Sequence, residues 1–129
     1  MINNNFNISS VETFLDSVLK GKVSKNVYAG TLPNTIDDSV KDIVLIDCGV
    51  TNDLAAYGKG VINIFLLAKP TANGRKNVAL MQKMEKSFNE AFDNLNDERY
   101  SLTQLYRTAD YDTALNWHYT VIALNIIIK

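Results

Sequence analysis

At 129 residues the chain falls in the single-domain range and is long enough to bury one core. Its 47% apolar and 21% charged residues exclude a disordered composition, and a formal charge of −1 without long charge runs lacks the basic footprint of a duplex-binding surface. Cys48 is the one cysteine, which excludes an intramolecular disulfide and a cysteine-based zinc site.

The opening MINNNFNISS has no basic region followed by an apolar stretch, and no run approaches the roughly 18 apolar residues of a membrane span. The expectation is a cytosolic chain that meets no membrane, organised as one domain over 1–129 with residues 1–8 frayed. SSVETFLDSVLKG then carries Val11, Phe14, Leu15, Val18 and Leu19 at spacings of three and four, predicting a helix over about 10–20. Ser9 and Glu12 have the spacing of a capping box, and Gly21 suits the left-handed residue after the last turn.

KNVYAGTLP predicts a short strand with Val27 and Ala29 on one side and Tyr28 on the other, ended by Pro33. The polar NTIDDSVK reads as turns. Ile43 to Ile46 of KDIVLIDCG form a β-branched and leucine run that predicts a strand buried on both faces, closed by Asp47 and Gly49. After the loop TNDLAAYGKG, VINIFLLAKP sets Ile62, Ile64 and Leu66 on one face against Val61, Asn63, Phe65 and Leu67 on the other, and stops at Pro70.

PTANGRKN reads as a polar loop whose Asn77 caps the next helix. That helix, VALMQKMEKSFNEAFDNL, has a stripe of Met81, Met84, Phe88, Ala91, Phe92 and Leu95 with polar residues elsewhere. YSLTQLYRTADYD predicts a strand from Leu102 to Arg107 and a turn near 110–115, and NWHYTVIALNIIIK returns as the final strand. The order α-β-β-β-α-β-β predicts an α+β domain: a mainly antiparallel sheet of about five strands with two helices packed on it.

Candidate chemistry is sparse. Cys48 and His118 are the only thiol and imidazole in the chain, so a small α+β enzyme or ligand-binding domain would use them as nucleophile and base. Both fall in or beside predicted strands, and the reading preferred is a small buried hydrophobe and a strand polar residue. Asp37, Asp38, Asp47 and Asp53 match no calcium-loop spacing and read as turn residues. Gly74, Arg75 and Lys76 precede a helix start but lack the longer pattern of a phosphate-binding loop. No enzymatic activity, metal or cofactor is expected.

The last strand is the feature that asks for a partner. Ile122, Leu124, Ile126 and Ile128 fill one face, while Trp117, Tyr119, Val121 and Ile127 fill the other, with Asn125 as a polar break. Two helices cover both faces only if they sandwich the sheet. Otherwise the second face, or this strand's open edge, is covered by another copy or by a partner adding a strand to it. The expected contact residues are Trp117, Tyr119, Val121, Ile127 and, from the TNDLAAYGKG loop, Leu54 and Tyr57.

The layout from VETFLDSVL to NWHYTVIALNIIIK resembles the tail-terminator and tail-completion proteins of the neck of long-tailed bacteriophages. Shared with them are an amino-terminal helix, a short strand before the Pro-containing turn TLPNTIDD, the strand DIVLIDCG, and the second long strand GVINIFLLAK. One amphipathic helix and a closing β-hairpin complete the match. The resemblance implies a structural, non-enzymatic role: copies close into a ring, typically a hexamer, that caps the tail tube and meets the head-tail connector. It also implies synthesis in the host cytoplasm and a final place in the virion. Head-completion and minor capsid proteins share related architectures. In such a ring Lys69, Arg75 and Lys76 would face the channel through which DNA passes.

Overall fold

The computed structural model describes residues 8–53, 58–95 and 97–128, with the side chains of 49–53, 58 and 59 outside the description. Its elements run α1 (Ile8–Leu19), β1 (Val27–Ala29), β2 (Asp42–Asp53), β3 (Gly58–Ala68), α2 (Val78–Asp93), β4 (Tyr100–Asp112) and β5 (Trp117–Ile128). The α+β order is the one the sequence predicts. All five strands join one sheet, in the order β1-β2-β3-β5-β4. β1 runs parallel to β2 and every other pairing is antiparallel.

α1 ends at Leu19, and Gly21 takes φ +80°, the left-handed conformation that lets the chain double back. Its N–H donates to the Ser24 carbonyl at 2.8 Å. Ser9 lies inside the first turn, where its carbonyl accepts from the Thr13 hydroxyl at 2.9 Å. α2 begins as expected: the Asn77 side-chain oxygen accepts from the Leu80 N–H at 3.1 Å, satisfying a donor that the first turn leaves free.

Both helices lie on the same face of the sheet. Val11, Leu15 and Leu19 of α1 and Met81, Met84 and Phe88 of α2 share one buried cluster with Val44 and Ile46 of β2, Ile62, Ile64 and Leu66 of β3, and Ile122, Leu124, Ile126 and Ile128 of β5. The helices do not sandwich the sheet. The opposite face has a smaller cluster of Ile43, Leu67 and Trp117, roofed by Leu32, Ile36 and Val40. Those three come from the segment joining β1 to β2. A parallel pair cannot be closed by a tight turn, so this connection of about a dozen residues crosses the helix-free face and covers one end of it.

β5 is not an edge strand. β3 pairs along one side of it from Ala68↔His118 to Gly58↔Ile128, and β4 along the other from Asp112↔Trp117 to Tyr100↔Ile128. Its apolar residues on both faces are those of a central strand, and no open edge remains for a partner to extend. The two free edges belong to β1 and β4, of which β4 is much the longer. That strand is longer than its Leu102–Arg107 apolar alternation suggests, because β5 pairs with its polar ends as well.

Among the described residues no helix is long and apolar enough to cross a membrane.

Candidate functional site

The helix-free face is built by strand alternation. Ile43 and Leu45 of β2, Phe65 and Leu67 of β3, and Trp117, Tyr119 and Val121 of β5 point away from the helices, because their neighbours in sequence enter the main core. The 30–41 crossover divides this face. At its end Trp117 is 7% exposed, whereas Leu45, Phe65, Tyr119, Val121 and Ile127 are only half-buried. Phe65 and Tyr119 meet edge to face at 5.5 Å. Burial, with Asp110 and Asp112 close by, holds the Tyr119 phenol above its usual range.

Beside this face runs the open edge. β4 carries a register shift between Gln104 and Tyr106, and the extra residue, Leu105, is 52% exposed beside Tyr106 at 55%. The Arg107 guanidinium donates to Asn89 Oδ1 (2.8 Å) and Gln104 Oε1 (2.6 Å) and lies 5.6 Å from the Phe88 ring centroid, tying α2 to this edge strand. Between them is a cleft of about 410 Å³ lined by Phe88, Phe92, Tyr100, Leu102 and Arg107, with no cysteine or histidine in its walls.

The expected contact residues therefore separate. Tyr119, Val121 and Ile127 share the part-open face. Trp117 is already covered within the chain, because the turn-rich segment before β2 contributes Leu32, Ile36 and Val40 as a roof. Leu54 and Tyr57 lie outside the described residues. Lys69 donates from Nζ to the Asp38 carbonyl at 2.9 Å, so it braces the crossover. Arg75 and Lys76 lie in the neighbouring loop, where the Arg75 carbonyl accepts from the Thr71 N–H at 2.9 Å.

Cys48 and His118 are not brought together. Cys48 stands opposite Ile62 and, across β3, in line with Leu124, which is six residues along β5 from His118, or about 20 Å at the rise of a strand. His118 meets the Tyr111 ring edge at 4.8 Å, and its buried Nδ1 makes no hydrogen bond. Burial pushes the Cys48 thiol up to about 11, with Glu12 and Asp47 adding to the effect. At pH 7.5 its alkylation is expected to be about 100-fold slower than a free thiol of pKa 9.0, since the thiolate is the reacting form. A rate equal to that of a free thiol, read with iodoacetamide, would contradict this environment.

Of the aspartates, Asp37 accepts from the Ser39 N–H at 2.8 Å, a turn contact that lowers its pKa, and Asp47 is exposed on β2. Asp53 closes β2, with its side chain outside the description. Among the described residues no three metal-ligating side chains converge. No family model matches the chain, and no curated protein matches it significantly.

The candidate surface is thus a half-roofed apolar sheet face with a long open edge next to it. Sequence reading missed Leu45, Phe65, Leu105 and Tyr106. The signal available for the roof was Leu32, Ile36 and Val40 recurring every fourth residue through a segment otherwise made of turn formers.

Proposed function

We propose that this chain is a structural subunit of a ring that caps the tail tube of a long-tailed bacteriophage and joins it to the head-tail connector. The observation that carries the proposal is the helix-free face: Leu45, Phe65, Val121 and Ile127 stay half-exposed on three adjacent strands because both helices are used on the other side. Leu45, Phe65 and Val121 stand in one row across the sheet, with Asn63 and Asn125 between that row and Ile127, and an apolar row of this kind marks a protein contact more often than it marks chemistry. The α-β-β-β-α-β-β order supports the same reading, as it is the layout on which the resemblance rests.

The role is architectural and needs no cofactor. Such a subunit is made in the host cytoplasm, ends in the virion, and has copies of itself, tube proteins and connector proteins as partners. A ring lets DNA pass without reading it, which suits a net charge near zero. A head-completion protein would present the same kind of face to a different neighbour.

Native mass and light scattering across about a hundredfold range of concentration test the assembly. A closed oligomer of one size is the expected result. A monomer that persists throughout, at low and moderate salt, would count against a self-assembling ring.

A further inference from the structure

A second pattern lies on the two rims of the sheet. Because β1 and β4 are its outermost strands, they face opposite directions. Lys22 and Lys25 lie in the turn between α1 and β1, and Lys41 directly precedes β2. Together with Lys83 of α2 they line a cleft of about 460 Å³ whose only carboxylate, Asp42, accepts a hydrogen bond from the Ser24 hydroxyl. On the opposite rim, Asp110 and Asp112 close the C-terminal end of β4. Among the described residues the single ion pair is Arg99 with Asp97, so neither the lysines nor these two aspartates are neutralised within the chain.

The two rims lie at one level. Asp42 stands opposite Ala68, Ala68 opposite His118, and His118 opposite Tyr111, so a single row across the sheet runs from Lys41 and Asp42 to the Asp110–Asp112 end of β4. Asp110 and Asp112 stand opposite Tyr119 and Trp117 on the helix-free side of that row, and the lysine cleft is walled by α2. A second copy therefore brings its acidic rim to these lysines when its β4 edge overlaps the helix side of the first copy's β1 edge. Such a head-to-tail contact joins two different surfaces, and it closes into a ring where the rotation from one copy to the next divides the circle.

We infer that the lysine-lined β1 rim of one copy receives the acidic end of β4 of the next, so that neighbours in the ring join edge to edge through unlike surfaces. The inference rests on the ring reading and names its contact. Edge-to-edge joining also turns every helix-free face to the same side of the ring. The bulge at Leu105 and the polar outer residues of β4 keep this edge from pairing indiscriminately.

The test is a charge exchange, read by native mass on the full chain. One variant carries Lys25→Glu and Lys41→Glu. The other carries Asp110→Lys and Asp112→Asn, the asparagine keeping the side-chain oxygen that accepts from the Leu115 N–H at 2.9 Å. Each variant alone sets like charges against each other and should need at least about tenfold more protein to assemble, with an unchanged circular dichroism spectrum. Mixed in equal amounts, they should recover closed oligomers of strictly alternating composition, because every contact again joins opposite charges.

If the wild type assembles and both variants assemble equally well, the edge contact is wrong while the ring reading stands. If only the aspartate variant fails and mixing does not rescue it, the contact is a symmetric one between two β4 strands, which also overturns the inference. A wild type that stays monomeric removes both readings.

Discussion

Replacing Trp117 with alanine should cost about 3–5 kcal/mol, the usual loss for a large aromatic side chain removed from a core. The effect should be local in its structural consequence. Trp117 shares its cluster with Ile43 and Leu67, while Leu32, Ile36 and Val40 approach it from the crossover. Those crossover residues belong to no strand or helix and are partly buried by packing against this three-residue cluster, of which the indole is the largest member. In the Trp117→Ala protein, urea unfolding followed by far-ultraviolet circular dichroism should show the destabilisation, and proteases should cut within 30–41 much faster than in the wild type. Trp117 is the only tryptophan, so fluorescence cannot serve for both proteins. A loss below about 1 kcal/mol with unchanged proteolysis would mean that the crossover is held by other contacts, such as Lys69 to the Asp38 carbonyl.

Periodic elements with a single wet side were the legible ones. β3 shows its two faces directly, with Ile62, Ile64 and Leu66 entering the helix-covered core and Leu67 the smaller one. α2 shows its stripe, and Asn77 marks its start. β5 was legible as apolar on both faces, but its place in the sheet was not. Whether such a strand is central or at an edge depends on which strands pair beside it, and that information lies in β3 and β4. The polar sequence of β4 hid its length for the same reason: its ladder hydrogen bonds go to β5, while its own side chains face water along an edge. Within the crossover, 34–41 reads as turns because Ile36 and Val40 are separated by turn formers, while Leu32 falls in the stretch read as a short strand ended by Pro33, and only the parallel pairing of β1 with β2 makes the whole segment cross the face. For the candidate site, Tyr119, Val121 and Ile127 followed from alternation alone. Trp117 also followed from alternation as a face residue, but its cover came from a segment about eighty residues before β5 that no local pattern connects to it.

The sharpest contrast lies between two neighbours in β5. Ile122 is fully buried beneath the helices, and Ile122→Lys places an ammonium opposite Ile64 on β3 and opposite the Arg107 guanidinium on β4, which repels it. The burial cost of an unpaired charge is several kcal/mol, comparable with the whole stability of a domain this size, about 5–15 kcal/mol. That variant should be unfolded or insoluble at neutral pH. Val121 points the other way, between Phe65 on β3 and Thr108 on β4, and is half-exposed. Val121→Asp should therefore unfold within about 1 kcal/mol of the wild type. Its cost falls on whatever covers the helix-free face. In a ring joined through its rims, that face meets the tail tube or connector instead of a neighbouring copy. Val121→Asp should then leave the oligomer mass unchanged while abolishing the completion of tails in a complementation assay. Loss of the oligomer in a folded Val121→Asp protein would instead place the contact between copies on the sheet face, and the rims would have to give up that role.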